Sequence, residues 1–305
     1  MTKQAWLDQS AAAMARGIRD GAISSQELVA AHVERIEAVN EELNAVVQLR
    51  TADALREAEA ADEATRQARD GRGSELGPFH GVPFTVKDAI STAGVVTTGG
   101  IPGREGMVPT EDATVVTRMK AAGAILLGKT NCPAFCAGAE TVNEIYGRTS
   151  NPHDPALSVA SSSGGEAAMI AAGGSPIGLG SDTGGSIRFP ANFCGVAGLC
   201  PTYGRVPRTG HVPYYFGSAD TSVIGPLARY VEDLALALPV LAGMDWIDPT
   251  VVPAPLVDPA AVAVEELRIA YHADNGIYTP TDEVQAAVKA AAALVEDLGA
   301  AVTEA

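Results

Sequence analysis

Cationic side chains are scarce in this sequence: 21 Lys and Arg stand against 37 Asp and Glu, a formal net charge of −16. Such a surface repels phosphate backbones and anionic headgroups, which excludes nucleic acid and membrane surfaces as partners. Cysteine is scarcer still. Cys132, Cys136, Cys194 and Cys200 are the four, and they make neither a CxxC pair nor a Cys/His quartet with zinc spacing. Cys132 and Cys136 read as small packing residues, and the chain reads as cytoplasmic with reduced thiols. The first residues, Met1-Thr2-Lys3-Gln4-Ala5-Trp6, lack the apolar core of a signal peptide. No uncharged apolar run is long enough to cross a bilayer without Gly and Pro interrupting it.

Several familiar catalytic patterns are missing too. There is no Gly-x-Ser-x-Gly nucleophile elbow and no Ser-x-x-Lys pair. None of the histidines, His32, His80, His153, His211 and His272, lies in a recognisable triad motif. One pattern is present and misleading: Gly123-Ala124-Ile125-Leu126-Leu127-Gly128-Lys129-Thr130 matches a P-loop. A P-loop needs a strand before it and an open anion-cradling loop inside it. Here a helical segment precedes Gly123 and the interior is an apolar strand-like run, so Gly123 reads as a helix C-cap.

What is there is an ordinary globular composition of 305 residues, enough for a large core. Ser24-Ser25-Gln26-Glu27 fits a capping box that opens a helix over 28–39, with His32 packed on its apolar stripe. Strand-like runs are expected at 43–49, 82–86, 124–127, 176–180, 267–271 and from Ala301. Helices are expected at 52–69, 112–122, 164–172, 186–194, from about Tyr230, and at 281–298. The alternation predicts an α/β protein with a mixed, mostly parallel, twisted sheet flanked by helices on both faces. A helical layer over 1–75, a catalytic core over 76–245 and an irregular connection over 246–265 divide it.

The stretch from Ser161 to Pro201 carries the chemistry. Ser161-Ser162-Ser163-Gly164-Gly165-Glu166 and Ser181-Asp182-Thr183-Gly184-Gly185-Ser186-Ile187-Arg188 flank a short apolar segment. Gly at this density packs nothing; it lets backbone N–H groups approach a ligand. Ser162 and Ser186 beside such donors are the materials of acyl transfer, a hydroxyl nucleophile and an oxyanion hole. Lys87 closes a buried strand, where α/β sheets bind ligands, and a buried lysine can act as base when its amine is neutral. Taken singly, either cluster reads as a Gly-Ser turn joining a helix to a strand, and Lys87 alone reads equally as a cation paired with Asp88 or Asp182.

Residues 145–207, from Ile145-Tyr146-Gly147-Arg148 to Gly204-Arg205-Val206-Pro207, resemble the signature of the amidase signature family. Gly81 to Asp88 and Leu127 to Pro133 resemble its other characteristic stretches. The resemblance implies the amidase signature fold as a single domain over 1–305 and a Ser–cis-Ser–Lys triad of Ser186, Ser162 and Lys87. It places the oxyanion hole on Thr183, Gly184, Gly185 and Ser186, and supporting positions on Ser163, Asp182 and Arg188. Three residues depart from the pattern: Ala160-Ser161 stand where Gly-Gly is usual, and Cys200 stands for Lys. The cis bond then falls at Ser161–Ser162. Family members usually continue further, so Ala305 is expected to fall short of the family's C-terminal part.

The implied activity is cleavage of amide C–N bonds through an acyl-enzyme, with carbamates and esters as related substrates and no metal or organic cofactor. A small-molecule amide or carbamate is the implied partner, and a homodimer is left open. Alternatives are the glutaminase subunit of a tRNA-dependent amidotransferase and a non-catalytic scaffold of the same fold. Phe189, where such subunits often carry Gln, favours the stand-alone amidase. Phe189, Tyr214, Tyr215 and Phe216, with Phe193 nearby, are aromatic and close in sequence to the site; they predict a pocket for uncharged, apolar acyl or aryl groups.

Overall fold

The computed structural model describes residues 3–213 and 221–305. The chain divides into two compact units, Met1–Ala254 and Pro255–Ala305.

In the first unit the helices are α1 (Lys3–Leu7), α2 (Ala11–Asp20), α3 (Ser25–Leu43), α4 (Thr51–Arg69), α5 (Thr114–Ala121), α6 (Gly164–Ala171), α7 (Arg188–Cys194) and α8 (Val231–Leu241). The strands are β1 (Val46–Leu49), β2 (Pro83–Lys87), β3 (Ile125–Thr130), β4 (Val142–Asn143), β5 (Gly147–Arg148), β6 (Ile177–Asp182), β7 (Ala197–Gly198) and β8 (Val223–Ala228). Six of them form one sheet in the order β1-β3-β2-β6-β8-β7. β2 runs parallel to both β3 and β6, while β1 opposes β3 and β8 opposes β6 and β7. The sheet is mixed, with β3, β2, β6 and β7 pointing one way.

Alternation along the strands puts neighbouring side chains on opposite faces, and two separate cores follow. Phe84 and Val86 of β2 and Ile177 and Leu179 of β6 pack with Met14, Ile18, Val115, Met119 and Leu234, from α2, α5 and α8. Ile125 and Leu127 of β3 pack on the other face with Val29, Val33, Ile36, Ala54, Met169 and Ile170, from α3, α4 and α6. Helices therefore cover both faces, and Thr85 and Lys87 project away from the Phe84–Val86 side.

Local chemistry explains several boundaries. Ser24 Oγ accepts from the Glu27 amide at 3.0 Å and Glu27 Oε2 accepts from the Ser24 amide at 3.0 Å, the expected capping box. α3 runs on to Leu43 because Asn44 supplies its left-handed cap at φ 49°. The strand expected from residue 43 accordingly begins at Val46. Gly123 follows α5 at φ 91°, and Ile125–Thr130 is the buried strand β3 rather than a phosphate loop. β8 adds a strand that local pattern does not predict, because Gly225 and Pro226 interrupt its apolar run.

In the second unit β9 (Arg268–Tyr271), α9 (Asp282–Asp297) and β10 (Ala301–Glu304) form a β-α-β unit whose strands pair in parallel. Among the described residues no helix is long and apolar enough to cross a membrane.

Candidate active site

The C-terminal ends of the parallel strands β3, β2 and β6 converge, and Lys87 is register partner to Thr130 there. Lys87 is fully buried. Its Nζ is hydrogen-bonded to Ser162 Oγ at 2.6 Å and to Ser181 Oγ at 2.9 Å. Ser162 precedes α6, and the Ser161–Ser162 peptide bond is cis. Ala160 before it sits at φ 57°, the left-handed region that favours Gly. The Ala160 amide donates to Ser158 Oγ and its carbonyl accepts from Thr141 Oγ1, each at 2.8 Å, which holds the residue in place.

Ser186 lies between β6 and α7 and is half-buried. The Ser163 amide donates to the Ser186 carbonyl at 3.1 Å, drawing the two serine loops together. Among the described residues no hydrogen bond joins Ser162 Oγ to Ser186 Oγ, so the site brings Lys87 and Ser162 into contact and leaves the Ser186 hydroxyl unengaged. Ser163 Oγ donates to the Ser181 carbonyl and accepts from the Ser181 amide, both at 3.2 Å.

Asp182 organises the loop that carries Ser186. Its carboxylate accepts from the amides of Gly185 at 2.7 Å, Ile187 at 3.0 Å and Arg188 at 3.3 Å. Arg188 Nε and Nη2 also donate to it, at 3.0 and 2.9 Å. Burial pushes the Asp182 carboxyl up, but the hydrogen bonds from Arg188, Ile187 and Gly185 outweigh it and hold it near about 2. Gly185 sits at φ 115°, and its amide is already given to Asp182. Among the described residues the amides of Thr183, Gly184 and Ser186 have no such partner.

A cleft of about 360 Å³ is lined by Gly138, Ala139, Ala160, Ser161, Gly184, Ser186, Phe189 and Phe193. Phe189 and Phe193 are 56% and 48% exposed, so their rings serve the cleft rather than the core. Tyr214, Tyr215 and Phe216 lie outside the described residues.

Residues that the sequence did not single out complete the site. Ser181 Oγ also meets His211 Nε2 at 2.8 Å, and His211 Nδ1 meets the Pro213 carbonyl at 2.9 Å. Beneath the site Glu166 of α6 is fully buried and accepts from the hydroxyls of Thr85 and of Thr130, the latter at 2.7 Å. Burial pushes its carboxyl up to about 7, against those two hydroxyls and the cations Lys129 and Lys87. Lys129, also fully buried, donates to the Ile90 carbonyl and to the hydroxyls of Thr92 and Thr97, and burial pushes it down to about 8. Cys132 is buried and Cys136 half-buried. A hydrogen bond from Cys132, with Lys87 and His211 close by, makes Cys136 the more acidic of the pair. Among the described residues no cluster of His, Cys, Asp and Glu has the arrangement of a metal site.

A family model described as Amidase matches residues 27–305. A glutamyl-tRNA(Gln) amidotransferase subunit from Chloroflexus aggregans is 41% identical over 307 residues, covering all of this chain and 61% of that protein. The indoleacetamide hydrolase of Bradyrhizobium diazoefficiens is 41% identical over 304 residues, covering 97% of this chain and 56% of that one. Among solved structures, a 6-aminohexanoate cyclic dimer hydrolase bound to substrate superposes with a TM-score of 0.86 at 36% identity, over 98% of this chain and 61% of that chain. A bacterial aryl acylamidase gives 0.88 at 32% identity, over 97% and 61%. The chain thus spans about three fifths of the length of the proteins it matches.

Proposed function

The chain belongs to the amidase signature family, and from that premise we propose that it cleaves amide C–N bonds by acyl transfer through Ser186. The observation that carries this reading is the buried Lys87 amine 2.6 Å from Ser162 Oγ, on the loop tied to Ser186. Neutral Lys87 takes the Ser162 proton as Ser162 takes that of Ser186, and Ser186 Oγ bonds to the substrate carbonyl carbon. The negative charge that forms on the carbonyl oxygen is met by the amides of Thr183, Gly184 and Ser186. The C–N bond then breaks and the departing amine recovers the proton through Ser162. Water then attacks the Ser186 ester, giving a proton through Ser162 to Lys87; the bond to Ser186 Oγ breaks, that oxygen takes the proton back by the same path, and the acid leaves. Carbamates and esters present the same carbonyl to the same groups.

The lining of the cleft, with two exposed phenyl rings and no ionisable side chain among the described residues, supports uncharged aryl or apolar acyl groups as substrates. A second reading is the glutaminase subunit of an amidotransferase, which rests on the likeness to amidotransferase subunits. Turnover of a panel of aryl acetamides, aliphatic amides, a carbamate and glutamine separates them. The first reading expects aryl amides to be preferred and Ser186→Ala to be inactive. Glutamine as the one substrate turned over establishes the second, and turnover by Ser186→Ala overturns both.

A further inference from the structure

A lysine that is to receive a proton from Ser162 has to point its lone pair at Ser162, and both of its N–H bonds elsewhere. Proximity does not secure this, because a serine hydroxyl can donate as readily as it accepts. Ser181 is 2.9 Å from Lys87 Nζ, so its hydroxyl can compete with Ser162 for that lone pair. The neighbours of Ser181 decide the matter. The Pro213 carbonyl can only accept, so in the neutral imidazole the one ring proton of His211 sits on Nδ1, 2.9 Å away. Nε2 is then bare and acts as acceptor. The Ser181 hydroxyl, 2.8 Å from Nε2, donates to it. Having spent its proton there, Ser181 Oγ presents only lone pairs to Lys87 and accepts one of the amine's N–H bonds. The remaining lone pair of the neutral amine is left for Ser162.

We propose that His211 is a positioning residue for the acyl-transfer reaction: it fixes the direction of the Lys87–Ser181 hydrogen bond and so aims the base at Ser162. This rests on the reading of Lys87 and Ser162 given above. His211 touches neither substrate nor the reacting atoms in this scheme and acts only through Ser181. Its placement supports the assignment. It is buried, its backbone bridges to Ile90 just beyond β2, and the Val212 amide donates to the Ala89 carbonyl at 2.7 Å. The imidazole is therefore anchored to the same strand end that carries Lys87.

The test is the rate at which an aryl fluorophosphonate labels Ser186, which needs no knowledge of the natural substrate. Ser186 Oγ bonds to phosphorus, the P–F bond breaks and fluoride leaves with its electron pair. The Ser186 proton passes through Ser162 to Lys87. His211→Phe keeps a ring and removes both nitrogens. It is expected to slow labelling at least about tenfold, the equivalent of about 1.4 kcal/mol. Ser181→Ala is expected to slow it similarly, and the two together no more than about twofold beyond either alone, since one acts through the other. His211→Gln restores an acceptor at the tip and is expected to stay within about threefold of wild type. Where melting curves show His211→Phe unfolded, Ser181→Ala and His211→Gln carry the comparison. Unchanged labelling in His211→Phe, multiplying losses in the double variant, or a His211→Gln as slow as Ser181→Ala overturns the proposal. Wild-type protein that takes no label at Ser186 overturns instead the acyl-transfer reading beneath it.

Discussion

The Ser163 amide donates to the Ser186 carbonyl at 3.1 Å, while Ser163 Oγ both donates to and accepts from the backbone of Ser181. One buried residue thereby holds the loop before α6 against the end of β6 and against the loop that carries Ser186. The two Ser/Gly clusters work as a single surface because of it.

Ser163→Ala removes both side-chain bonds and leaves a buried amide and a buried carbonyl of Ser181 without that partner. Losses of this kind cost about 1–3 kcal/mol. Urea melts of the variant should show a destabilisation in that range, together with a fall in kcat as the Ser186 loop loosens. A variant as stable and as fast as wild type contradicts the account of the staple.

Asp182 and Arg188 pair bidentately, but the partners are unequal: the Asp182 side chain is 0% exposed and that of Arg188 57%. Asp182→Asn places an amide NH2 among three backbone donors and leaves at least one of them unpaired, a cost of about 2–4 kcal/mol and most of the activity. Arg188→Ala leaves the three amide bonds intact and removes an exposed charge, about 1 kcal/mol. Equal losses in the two variants contradict this ranking.

Gly178 on β6 lies against Glu166: a Cβ added there would overlap the Glu166 carboxyl group. Glu166 cannot swing aside without giving up Thr85 and Thr130. Gly178→Ala should therefore destabilise by about 1–3 kcal/mol through overpacking. The double variant Gly178→Ala with Glu166→Ala should lose less than the sum, since the clash is gone. Strict additivity in denaturant titrations contradicts the contact.

Two buried groups bend stability with pH in opposite senses. Burial lowers His32 from 6.5 to about 4, so the unfolded chain takes a proton that the folded one refuses. Stability from this source is complete above about 6.5 and is lost as pH falls through 4. Burial raises Glu166 from 4.5 to about 7, so its contribution is complete below about 4.5 and is lost as pH rises through 7. Each is worth about 3 kcal/mol, and over the shared window they offset one another. Relative to wild type, His32→Leu should lose stability as pH rises across that window, and Glu166→Gln should lose it as pH falls. Parallel profiles for all three proteins contradict both assignments.

Much of the frame is legible in the sequence because its signals are local. The capping box at Ser24 and Glu27, the Gly123 cap, the apolar run of β3 and the helix opening after Tyr230 each depend on a few adjacent residues. Lys87 and Ser162 meet at one strand end, with Ser186 on the adjoining loop, since the two Ser/Gly clusters are bracketed by β6 and α6. What is not legible is long-range. β8 hides behind Gly225 and Pro226 and is a strand because β6 and β7 pair with it on either side. The Ser181–His211 pair joins residues 30 positions apart, and nothing in the spacing marks it. The one available hint for Ser181 is its place directly before Asp182, inside the Ser/Gly stretch. Glu166 is visible as an acid among Ser, Gly and Ala, but its burial comes from the sheet beneath α6.

The central claim is that Lys87 draws the proton from Ser186 through Ser162. The most direct measurement is the peptide-mapped site and rate of fluorophosphonate labelling in wild type and Lys87→Met. One label, on Ser186, is the predicted result, with a Lys87→Met rate lower by about 10²- to 10⁴-fold. A label on another residue, or a Lys87→Met protein labelled at the wild-type rate, contradicts the claim.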